Sequence, residues 1–110
     1  MPTAQYFADM QETYARLSPH PEHFADFMAA QARNAAALQG WTDAQLAGIT
    51  APVLAIIGDH DFVTIEHGAV MKELIPGSQL AVLPGTTHMT ATKRVDLLVP
   101  LLAAFLDQAV

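Results

Sequence analysis

The residues most suited to acid–base chemistry are Asp59, His60 and Asp61, consecutive in the chain, and His88 further on. A carboxylate bonded to one ring nitrogen of an imidazole fixes its tautomer and leaves the other nitrogen as a directed general base. An unpaired imidazole rotates, and its basicity is aimed at nothing. Asp61 and His88, 27 positions apart, form the candidate pair, with Asp59 a rival acid in the same turn. The same four residues could be read as oxygen and nitrogen metal ligands. Residues adjacent in sequence rarely point at one ion, so no metal and no cofactor is expected there. The plain alternative is a loop acid and a loop histidine with no chemistry between them.

Two strands must position this pair. Residues 53–57, Val-Leu-Ala-Ile-Ile, form an apolar run without alternation, which suits a strand covered on both faces. Residues 79–83, Gln-Leu-Ala-Val-Leu, read as a second strand, and Pro84-Gly85-Thr86-Thr87-His88 as a loop. Between them Thr64 is a plausible cap for a helix over 65–75, with Val70, Met71, Leu74 and Ile75 as its buried stripe and Pro76-Gly77 as its terminator. Strands joined by a helix are almost always parallel, so both carboxyl ends fall on one rim, where open α/β folds place their ligands. Neighbouring strands lie about 4.8 Å apart, within reach of an acid and an imidazole on adjacent loops. A last helix is expected over about 97–108, since Pro100 is tolerated only near a first turn.

The chain before Thr50 reads as helical throughout. Tyr6, Phe7, Met10, Tyr14 and Leu17 recur at three- and four-residue steps, and Ser18-Pro19-His20-Pro21 ends that helix. A second helix carries Phe24, Phe27 and Met28 and stops at Gly40. His20 and His23, flanking Pro21 and Glu22, could suggest metal binding, but a capping or packing role at the helix start is expected of them. His67, in the first turn of its helix, reads as neutral and structural. Thr42 and Gln45 have capping-box spacing, with Trp41 placed to staple onto Leu46.

Composition narrows the function classes. The 110 residues are 52% hydrophobic and 15% charged, which excludes disorder from low hydrophobicity and bounds the chain at one modest domain. Eleven acids against five Lys and Arg give a net charge of −6 with no basic stripe, so no nucleic-acid partner is expected. Without cysteine there is no disulfide, zinc-thiolate or cysteine nucleophile. The most apolar stretch is ten residues and holds Pro100, against about twenty needed for a span. No membrane association is expected, and a cytoplasmic location is.

At these residues the chain resembles the α/β-hydrolase family, in its carboxyl-terminal portion. Residues 51–61, Ala-Pro-Val-Leu-Ala-Ile-Ile-Gly-Asp-His-Asp, look like the strand ending in a Gly-x-x-Asp acid turn. Residues 80–88 look like the strand and loop delivering the histidine, and 101–107 like the closing helix. The resemblance implies Asp61 as triad acid and His88 as triad base. It also implies a helical lid-like segment over 1–50 and a βαβα unit of the hydrolase core over 51–110.

One part of the family pattern is not in these 110 residues. Triads of this family run nucleophile, acid, histidine along the chain, and no Gly-x-Ser-x-Gly precedes Asp61. Ser18 lies beside a proline pair and Ser78 just before the second strand, neither on a strand-to-helix elbow. Two parallel strands also cannot cover their own faces and edges. The chain is therefore expected to be a fragment or half-chain of a hydrolase of small ester-like substrates, inactive alone and completed by a partner chain. The competing expectation is a non-enzymatic module that forms a homodimer along its strand edge.

Overall fold

The computed structural model describes residues 3–109. The chain divides into two compact units, one up to Gly40 and one from Trp41 onward.

The first unit is a pair of helices, α1 (Ala4–Leu17) and α2 (Phe24–Ala37), joined through a single 3-10 turn at Pro21–His23. Thr3 caps α1, its hydroxyl accepting from the Tyr6 amide at 3.1 Å. The helices meet through aromatic rings: Tyr14 lies 5.4 Å from Phe24 and 5.3 Å from Phe27, centroid to centroid. No residue of either helix is fully buried, and Phe7, Leu17 and Phe27 remain exposed. Of the expected capping or packing role of His20 and His23, side-chain capping does not form, while the two rings stack on each other at 5.1 Å between centroids. Each precedes a helical segment without capping it through its side chain, and both rings are exposed. Imidazole is a poor substitute for the short oxygen side chains that reach first-turn amides.

The second unit begins with α3 (Asp43–Ala47), where the Thr42–Gln45 capping box forms in both directions. Because α3 packs against α4 (Ile65–Leu74), it belongs to this unit, and the compact division falls at Gly40 rather than at residue 50. Strand β1 (Leu54–Gly58) pairs in parallel with β2 (Gln79–Leu83), in the register Leu54↔Gln79 through Gly58↔Leu83. Thr64 caps α4 through the His67 amide at 3.1 Å; the His67 side chain itself is exposed. The helix sits close on the sheet at Gly68, where a Cβ would come within 3.1 Å of Ile57 and 3.2 Å of Leu80. Gly68, Met71, Leu74 and Ile75 therefore face inward, while Val70 points out and is exposed, contrary to the expected stripe. Ile57, Ile75 and Leu83 are the buried apolar core.

Helix α5 (Val95–Ala109) starts before the expected first turn, so Pro100 lies inside it. Arg94 carbonyl accepts from the amides of Leu97 and Leu98 at 3.0 and 2.8 Å, which sets the helix start two residues early. The cost is the amide donor that proline lacks together with the crowding of its ring against the carbonyl four residues back. Val95, Val99, Leu102 and Leu106, at helical spacing, remain exposed. No helix among the described residues is long and apolar enough to cross a membrane.

Candidate active site

Both strands end at one rim, and the backbone ladder continues past them. Asp59 N–H donates to the Leu83 carbonyl at 2.9 Å and His60 N–H to the Thr86 carbonyl at 3.0 Å. Gly58 permits this approach, since a Cβ there would be driven into the carbonyl of Thr86. The turn after β1 and the loop after β2 are thus stitched together by backbone bonds alone.

Each acid of the turn takes a different partner. The Asp59 carboxylate accepts from His60 Nδ1 at 2.7 Å and from the Thr86 amide at 3.1 Å. These bonds, His60 foremost and then the amides of Thr86 and Gly85, hold its pKa below the ordinary carboxylate value. Asp59 therefore ties the two loops together and does not pair with His88.

Asp61 is turned inward. Its amide donates to the Gly58 carbonyl at 3.2 Å, and its own Oδ1 accepts from the Val63 amide at 3.0 Å, an Asx turn that fixes the carboxylate. The side chain is 4% exposed and meets His88 Nδ1 at 3.1 Å through Oδ1 and 3.3 Å through Oδ2. Burial is the largest single influence on this carboxyl and pushes its pKa up. The Val63 amide, the charge of His88, the Gly58 backbone and the His88 hydrogen bond together outweigh it and leave the pKa lowered.

His88 is 47% exposed, with its Nδ1 edge on Asp61 and the Phe62 ring tilted against it at 4.3 Å between centroids. Its backbone is held by a reciprocal threonine pair. Thr87 N–H donates to Thr90 Oγ1 at 2.9 Å, and Thr90 N–H to Thr87 Oγ1 at 3.2 Å. Deeper in, the fully buried Thr86 donates its hydroxyl to the Pro84 carbonyl at 2.8 Å and accepts from Arg94 Nη1 at 2.9 Å. The same Arg94 nitrogen also reaches the Pro84 carbonyl, at 3.1 Å.

With Nδ1–H donated to Asp61, Nε2 is the ring nitrogen left to accept a proton. Ser78 does not serve as a partner for it. Ser78 is buried at the start of β2, the opposite rim, and donates to the Lys72 carbonyl at 3.0 Å; five strand residues separate the rims by about 16 Å. Ser18, in the helical unit, accepts from the His20 amide at 3.1 Å.

Sequence reasoning did not single out Thr86, the Thr87–Thr90 pair, Arg94 or Phe62. Only Gly58, inside the Gly-x-x-Asp turn, carried a sequence signal. Among the described residues, Asp59, His60, Asp61 and His88 do not converge as a metal-ligand cluster; the one cluster of that kind is His20, Glu22 and His23.

No protein-family profile matches the chain. A proline iminopeptidase of Saccharolobus solfataricus is 31% identical over 64 residues, which is 58% of this chain and 21% of that protein. The crystal structure of the proline iminopeptidase of Mycobacterium smegmatis superposes with a TM-score of 0.59 at 28% identity, over 96% of this chain and 42% of that one. The crystal structure of VinJ superposes with a TM-score of 0.60 at 23% identity, over 98% of this chain and 43% of that one. The chain thus spans about a fifth of the curated relative and less than half of each solved structure.

Proposed function

From the premise that this chain has the fold of the carboxyl-terminal portion of an α/β-hydrolase, we propose that it supplies the acid and the base of a nucleophile–histidine–acid triad. The observation that carries this reading is the 3.1 Å contact between the buried Asp61 carboxylate and His88 Nδ1. In the proposed reaction His88 Nε2 takes the proton of an attacking hydroxyl and returns it to the leaving group. Asp61 holds the tautomer and stabilises the imidazolium between the two transfers. The bond cleaved is that of a small ester or amide. Two relatives are named proline iminopeptidases, which adds prolyl amides to the substrates to be tried.

The nucleophile and the oxyanion-hole donors come, in this reading, from a segment outside these residues. Losing one such donor alone costs about 10²–10³ in rate, so the 110-residue chain by itself is inactive. Residues 1–50 are read, by resemblance, as lid-like. A second reading is favoured by the exposed stripe Val95, Val99, Leu102 and Leu106 on α5, together with a sheet of two strands among the described residues. A half-fold with such a surface could associate with a second copy of itself and serve as a binding module.

A chimera separates the two. Replacing the matched segment of the Mycobacterium smegmatis proline iminopeptidase with this chain should give p-nitrophenyl ester or prolyl p-nitroanilide turnover. Asp61→Asn or His88→Ala should then lower it by about 10³–10⁴. A folded chimera whose activity ignores both substitutions would overturn the triad assignment. Turnover by the purified chain alone that is lost in Ser78→Ala would overturn the claim that the nucleophile lies elsewhere. A dimer on a sizing column, together with an inactive folded chimera, would favour the module.

A further inference from the structure

We propose that His20, Glu22 and His23 form a binding site for a divalent first-row transition cation, with Zn²⁺ the type ion. The donors are His20 Nδ1, Glu22 Oε1 and His23 Nε2, all within 4.8 Å of one another. Glu22 Oε1 lies between the two rings, 3.5 Å from His20 Nδ1 and 3.7 Å from His23 Nε2. Zinc bonds nitrogen and carboxylate oxygen at about 2.0–2.2 Å, so ligand atoms around a tetrahedral ion sit about 3.4 Å apart. The two nitrogen–oxygen separations are already close to that edge length. The two rings are stacked with 22° between their planes, so binding requires them to turn out of the stack until both in-plane lone pairs aim at the ion; their exposure leaves room for that turn.

The local backbone favours the arrangement. Pro21 fixes one φ angle, the His20 amide is held by Ser18 Oγ at 3.1 Å, and the His23 amide donates to the His20 carbonyl at 3.0 Å. The 3-10 turn spanning Pro21–His23 thereby sets the backbone from which both imidazoles project. Their rings stack at 5.1 Å between centroids, with 22° between planes. Neither ring caps a helix, both are more than half exposed at 63% and 56%, and Glu22, itself a proposed ligand, is the acid facing their nitrogens. Two imidazoles and one carboxylate suit zinc, nickel or copper rather than calcium or magnesium, which prefer all-oxygen shells. Water would complete the coordination, as in open three-ligand sites.

Calorimetric titration of the full 110-residue chain with ZnCl₂ in a non-coordinating buffer tests the site. One saturable equivalent is expected. His20→Ala, His23→Ala and Glu22→Gln should each weaken it by about tenfold or more, whereas His60→Ala and His67→Ala should leave it intact. Circular dichroism of each exposed-site variant verifies that the fold persists. Binding that is not saturable, that survives loss of either site histidine or of the Glu22 carboxylate, or that falls equally in His60→Ala or His67→Ala would overturn the proposal.

Discussion

The helical unit and the strand–helix–strand unit solve the same problem of stability in different ways. In α1 and α2 no side chain is fully buried; the helices hold through a patch of half-covered rings around Tyr14, and their ends carry exposed histidines. From Trp41 onward a parallel sheet and the helix between its strands bury Ile57, Ile75 and Leu83, and the sheet's rim is tied by backbone and buried polar bonds. Ring contacts between helices tolerate adjustment. A rim in which Gly58 touches the Thr86 backbone does not, and that rigidity keeps Asp61 and His88 at bonding distance.

The sharpest way to break this contrast is Gly58→Ala. The new methyl meets backbone on the facing loop, with no flexible side-chain end to move aside. A loss of about 3 kcal/mol is expected in urea unfolding, together with loss of the Asp61–His88 contact. Thr86→Val comes next. It removes the acceptor of Arg94 Nη1 and the donor to Pro84 inside a fully buried position, and should cost about 2 kcal/mol by the same measurement. In the helical unit Phe24→Ala deletes one ring of a half-exposed cluster. About 1–1.5 kcal/mol is expected, read as faster amide exchange in α1 and α2. A Phe24→Ala effect equal to that of Gly58→Ala would erase the distinction between the units.

Much of the fold was legible because its signals are local. The strand 79–83 coincides with β2, and the Thr42–Gln45 box forms as its spacing implies. Parallel topology, which follows from a helix between two strands, placed Asp61 and His88 on one rim. Asp61 stood out from Asp59 only through the Gly-x-x-Asp resemblance, because both acids lie in one turn and no periodicity separates them. In the structure the Asx turn at Val63 and the Thr86 amide, contacts without any periodicity, send the two carboxylates to different partners. Thr86 and Arg94 stayed hidden for the same reason, being eight residues apart and joined only through the folded loop. Val70 and Pro100 were misplaced because the close seat of Gly68 and the early start at Arg94 are tertiary choices.

The smallest expected signal is a change of slope in acid. The Asp61 pKa is lowered in the folded chain, so its contribution to stability is complete above the unfolded carboxylate value of about 3.9. That contribution is lost as pH falls through the lower folded value. Urea midpoints measured from pH 5 to pH 2 should fall less steeply for Asp61→Asn than for the natural chain. An unchanged slope would mean that the buried carboxylate makes no net favourable contacts.

The pairing of Asp61 with His88 is most directly read from the ring ¹⁵N shifts of His88 near neutral pH. The neutral ring should carry its proton on Nδ1, leaving Nε2 bare, and Asp61→Ala should abolish that preference while Asp59→Ala preserves it. A natural chain whose His88 is protonated on Nε2, or a tautomer that Asp61→Ala leaves unchanged, would contradict the account.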